Sequence, residues 1–130
     1  MTKTKTQEIF EASAPYSNPY QGSYHRALFV CSAGMLRSAT AAVVGSSLGM
    51  NTRACGSENY ALIPLSVNLI NWAETIYFVN EYNFLGAKDT FFGMEGVGQM
   101  LDRKSVIWDI EDIYNYRDPK LVQMITDLLS

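Results

Sequence analysis

Four short strand-like segments, with helix-compatible stretches among them, constrain this chain more than any other feature. The first is Ala27-Leu28-Phe29-Val30-Cys31, which breaks off at Ser32-Ala33-Gly34. A run this short with no polar alternation reads as a strand buried on both faces. Residues 51–55 can form a second strand. Thr75-Ile76-Tyr77-Phe78-Val79 is the clearest β-branched and aromatic run, and Ser105-Val106-Ile107-Trp108-Asp109 is the fourth. From Arg37 to near Gly49 the residues are small and helix-compatible. Residues 56–59 read as a turn, and residues 62–73 as a helix with Pro64 in its first turn. Residues 80–103 suggest a helix interrupted by loops at Gly93, Gly96 and Gly98. Asp118 then caps a last helix, with Pro119 at its first position and Leu121, Met124, Ile125 and Leu128 at helical spacing. Strands alternating with helices predict an α/β fold: a three-layer sandwich with a central four-stranded parallel sheet and helices on both faces. In such folds, ligands bind beyond the carboxyl ends of the strands.

At 130 residues the chain is sized for one domain, and 48% hydrophobic against 18% charged residues is enough for a core. Pro15, Pro19 and Gly22 break any regular period near the start. Residues 1–25 therefore read as an extension, disordered or lying along the surface, and residues 26–130 as the domain. The spaced Tyr16, Tyr20 and Tyr24 suit aromatic anchors of such a tail, or tyrosines that are modified or recognised. A net charge of −3 offers no basic face for a polyanion, so nucleic acid is not an expected partner. No apolar run approaches the ~18 residues of a membrane span, and no secretory leader is visible. Two cysteines make no disulfide framework, so a reducing cytoplasm is the expected location. With one histidine, His25, and no cysteine pair, no metal or other cofactor is expected.

The chemistry concentrates at the ends of two predicted strands. Cys31-Ser32-Ala33-Gly34-Met35-Leu36-Arg37-Ser38 is a cysteine leaving a strand, a five-residue loop, and an arginine opening a helix. A loop feeding a helix N-terminus turns several backbone N–H groups inward and forms an anion cradle. The helix dipole and Arg37 both favour a thiolate at Cys31. The planar guanidinium of Arg37 can grip two phosphate oxygens at once. The Ser38 hydroxyl can donate to the sulfur, and Gly34 permits a positive φ in the tight loop. A cysteine six positions before an arginine is weak as a bare pattern; its strand–loop–helix context gives it weight. After the fourth strand, Asp109, Glu111 and Asp112 supply candidate proton donors for a leaving oxygen, with Asp118 spent as a cap. Tyr60, Tyr114 and Tyr116 are candidates to wall a slot around an aromatic ring, or else pack their own loops.

Residues from about 26 to 129 resemble the low-molecular-weight protein tyrosine phosphatases. The family's Cys-x5-Arg-Ser phosphate loop, at the first strand, matches Cys31 to Ser38. Ile110-Glu111-Asp112-Ile113-Tyr114 resembles the Ile-Pro-Asp-x-Tyr of one branch, and Asp118-Pro119-Lys120-Leu121 its last helix. Cys55-Gly56-Ser57 stands in the place of a Ser-Ala-Gly, and residues 72–79 resemble the approach to the third strand. The resemblance implies Asp112 as the general acid and tips Tyr114 toward the slot. It also exposes departures. Gly34 replaces a common asparagine that braces the loop, Leu36 replaces a cysteine that many members use to protect the nucleophile, and Glu111 replaces a proline.

These readings predict a cysteine-dependent phosphatase acting on phosphotyrosine in a protein substrate. Cys31 would attack phosphorus, residues 32–37 and Ser38 would bind the phosphate, and Asp112 would protonate the leaving group. A non-catalytic phosphate- or phosphotyrosine-binding module would keep Arg37 and the loop without turnover. An arsenate reductase would need further cysteines to carry electrons, and only Cys55 is on offer. A cysteine phosphocarrier would not need Arg37 and Asp112 together.

Overall fold

Strand β1 (Arg26–Cys31) lies inside the sheet, and its alternating side chains feed two separate cores. The computed structural model describes residues 24–130, so the expected extension, with Tyr16 and Tyr20, falls almost wholly outside the described residues. After β1 come α1 (Arg37–Ser47), β2 (Asn51–Gly56), α2 (Val67–Trp72) and β3 (Thr75–Phe78). Helices α3 (Glu81–Thr90) and α4 (Val97–Lys104), strand β4 (Ser105–Ile107) and helix α5 (Pro119–Leu129) complete the domain. The strand order is β2-β1-β3-β4 and every pairing is parallel.

The two-residue period of a strand explains the three layers. Ala27, Phe29 and Cys31 face one side, where they meet Ala39, Ala42 and Val44 of α1 and Leu121 and Ile125 of α5. Leu28 and Val30 face the other, where Cys55, Ile76 and Phe78 join Leu69 and Ile70 of α2, Ala87 of α3 and Leu101 of α4. The α/β sandwich is thus the expected one, and its small-residue helix α1 is buried almost all round. Phe29, Tyr77 and Trp108 stack on the α1/α5 side, with centroids 5.0–5.9 Å apart.

Several elements differ from expectation in extent. The helix expected over residues 62–73 shrinks to α2, capped by Ser66, whose Oγ accepts from Leu69 N. Pro64 opens no helix; it forms a parallel bridge to Gly56, and the chain from 57 to 65 runs along the loop after β1. The interrupted helix over 80–103 resolves into α3, capped by Asn80, and α4, entered through left-handed Gly96. Strand β4 is shorter than 105–109, although Trp108 N and Ile110 N still donate to Phe78 O and Val79 O. Asp118 caps α5 with Pro119 at its first position, as read from the sequence.

Candidate active site

The loop between β1 and α1 is held by its carbonyls. Ser57 N donates to Cys31 O at 2.8 Å, Glu58 N to Ser32 O at 3.2 Å, and Leu62 N to Ala33 O at 3.0 Å. These bonds draw the carbonyls toward the segment after β2, while Gly34 N turns to Cys31 Sγ, an arrangement compatible with an anion nest. At the far end, Leu36 O accepts from both Thr40 N and Thr40 Oγ1, which ties the loop into α1.

Gly34 is required here for two separate reasons. Its φ is +74°, and a Cβ would sit 2.8 Å from both Cys55 C and Gly56 N. Gly56 answers it from β2, where a Cβ would collide with Ser32 O and Ala61 Cβ. The loop after β1 and the end of β2 therefore approach backbone to backbone, with no room for a side chain at position 34.

Cys31 Sγ lies 3.0 Å from Ser38 Oγ, and Gly34 N donates to it at 3.2 Å. Both contacts suit a sulfur carrying negative charge. The Arg37 side chain is buried, and its Nη1 donates to Ile110 O at 2.8 Å. Its Nε lies 3.6 Å from Asp112 Oδ1. Arg37 thereby connects the loop after β1 with the loop after β4, while the Asp112 side chain stays 67% exposed and accessible to a ligand. A cleft of about 280 Å³ is lined by Ser32, Arg37, Asn80, Tyr82, Asn83 and Asp112.

The remaining expected residues divide. Met35 is exposed at the loop's crest, and Leu36 packs partly against the α1/α5 core. Tyr60 is 68% exposed in the turn after β2. Tyr116 is a correction. It is 4% exposed and sits within the α1/α5 core, not on a slot wall. Arg117, at φ 60°, turns the chain back there, and its N–H donates to Thr40 Oγ1. Tyr114 packs against the same core and does not line the cleft. Asp109 and Glu111 are exposed. His25 is at the opposite end of the sheet, against Thr75 Oγ1 and Glu74.

Sequence reasoning missed Asn80, Tyr82 and Asn83, all just beyond β3. The available signal was two asparagines three apart directly after a strand. It gains meaning only with the strand order. The chain runs from β1 outward to β2 and then returns to β3 on the other side of β1, so the sheet's switch point lies between the ends of β1 and β3. Tyr82 supplies the aromatic wall, and the charge and hydrogen bond of Glu58 push its phenol above the usual range.

Cys55 is fully buried, and burial, then the charge of Cys31, pushes its thiol well up. It faces the α2–α4 core, whereas Cys31 faces the α1/α5 core. The sheet itself separates the two sulfurs.

Among solved structures the chain matches Wzb of Vibrio vulnificus, a low-molecular-weight tyrosine phosphatase in complex with benzylphosphonate. The TM-score is 0.57 at 15% identity, over 81% of this chain and 94% of that one. The chain thus has the fold of the low-molecular-weight tyrosine phosphatases. No family model matches its sequence, and no curated protein does. No helix among the described residues is long and apolar enough to cross a membrane.

Proposed function

We propose that the chain is a cysteine-dependent phosphatase that hydrolyses aryl phosphate monoesters, in particular phosphotyrosine of a protein substrate. The observation that carries this reading is a single constellation. Cys31 sits among donors at the mouth of an amide loop, and Arg37 and Asp112 meet across the adjoining cleft.

In the first step, the Cys31 thiolate attacks phosphorus in line. The S–P bond forms, the P–O bond to the aryl group breaks, and Asp112 gives its proton to the departing oxygen. The loop amides and Arg37 hold the three equatorial oxygens, so the positive field needed by the transition state is in place beforehand. In the second step, the Asp112 carboxylate takes a proton from water, which attacks the phosphocysteine. Phosphate leaves, and the sulfur departs as a thiolate received by Ser38 and Gly34 N–H. Tyr82, with Tyr60 on the facing turn, offers aromatic surface to a substrate ring. The benzylphosphonate held by Wzb has this same pairing of ring and phosphorus oxyanion.

The test is hydrolysis of para-nitrophenyl phosphate, with EDTA present, by the wild type, Cys31→Ser and Asp112→Ala. Turnover abolished in Cys31→Ser and lowered roughly 10²- to 10⁴-fold in Asp112→Ala supports the scheme. A wild type that binds phosphate saturably without turnover refutes it and leaves an anion-binding module.

A further inference from the structure

We propose that Asn83, from the first turn of α3, is the positioning residue that braces the phosphate loop, a task Gly34 cannot perform. Asn83 is fully buried. Its Nδ2 donates to Ser32 Oγ and to Ser57 Oγ, both at 3.1 Å. Its Oδ1 is buried and has no hydrogen-bond partner.

This arrangement is costly if Asn83 only fills space. A buried amide oxygen without a partner lowers stability, and a leucine of similar size would fill the site without that penalty. What the amide does supply is a connection. Ser32 follows the nucleophile, Ser57 follows β2, and Asn83 follows β3, so one side chain joins the ends of three strands beside the switch point. Ser57 is also fastened to the nucleophile's own carbonyl through its N–H. Because Asn83 donates to both serine oxygens, neither hydroxyl proton is spent on it. Ser32 lines the cleft, and its O–H is therefore left to donate to an oxyanion that binds there. A loop brace built within the loop would need a side chain at position 34, where a Cβ already meets backbone at 2.8 Å.

The kinetic part of this inference rests on the phosphatase reading; the binding part does not. Asn83→Leu and Ser57→Ala are compared with the wild type by melting temperature, by kcat and KM for para-nitrophenyl phosphate, and by calorimetric binding of inorganic phosphate. For Asn83→Leu the expected result is a kcat per folded molecule lowered roughly 10- to 100-fold, whatever the change in melting temperature. Phosphate binding weakens by about tenfold, as loss of one charge-assisted hydrogen bond implies. Ser57→Ala gives a smaller loss of the same kind, and adding it to Asn83→Leu costs nothing more. A purely structural Asn83 gives a lower melting temperature alone, with kcat per folded molecule and phosphate affinity unchanged. That result overturns the proposal. If Asn83→Leu does not fold, Ser57→Ala decides, and unchanged kcat and phosphate affinity there also overturn it. If the wild type has no turnover, the phosphatase reading fails, and the phosphate affinities alone decide the brace.

Discussion

Placing an asparagine at position 34 should damage this protein. The residue has φ +74°, and a Cβ would stand 2.8 Å from Cys55 C and Gly56 N, both backbone atoms of β2 that no rotamer change can move. A left-handed conformation costs alanine about 1–2 kcal/mol, and forcing extra volume into a packed site about 1–3 kcal/mol more. Gly34→Ala should therefore lose about 2–5 kcal/mol. At about 3–5 °C per kcal/mol for a domain of this size, its Tm falls by roughly 6–25 °C. Gly49 provides the control, because its φ is +91° and nothing lies within 4 Å of its Cβ position. Gly49→Ala carries the strain without the collision and should fall by roughly 3–10 °C. Gly34→Asn relieves part of the strain but keeps the collision, so it should melt well below wild type and turn over more slowly. Thermal melts followed by circular dichroism, with para-nitrophenyl phosphate kinetics, measure both. A Gly34→Asn variant that melts with the wild type and gains kcat would refute the close-approach argument.

Two further outcomes follow from the geometry. Mild peroxide should oxidise Cys31 without forming a Cys31–Cys55 disulfide, since the sulfurs face opposite sides of the sheet; mass spectrometry of the oxidised protein checks this, and a bridged peptide contradicts the assigned strand faces. Glu74 accepts from Arg26 N, which with the nearby Arg26 and His25 charges holds its carboxyl below the usual range. Its folded value is depressed, so its contribution is present above the unfolded carboxylate pKa and disappears as pH falls through the folded one. Glu74→Gln should thus lower the Tm at pH 7 and leave it unchanged at pH 2, and an equal shift at both values contradicts the assignment.

What could be read from the sequence, and what could not, separates by the range of the interactions. Cys31, Gly34, Arg37 and Ser38 lie within eight consecutive residues, and a strand, a loop and a helix start fix their relations locally. The strands and the α5 cap were readable for the same reason, each being a short-period pattern. Pro64 misled because its backbone serves a bridge to Gly56, a partner eight residues away, instead of a helix N-terminus. Tyr116 misled because counting along a loop gives no direction, and the left-handed backbone at Arg117 sends the chain back over α1. Asn83 was out of reach for a deeper reason. It stands 51 residues from Ser32 and 26 from Ser57, and becomes their neighbour only because β1 lies between β2 and β3. Strand order is set by crossover handedness and by which helices cover which face, and no single segment carries it. A glycine where a loop brace is expected was nonetheless a usable clue. A tight loop still needs external support when it gives up its own side chain, and the strand ends flanking the switch point are where that support can be supplied.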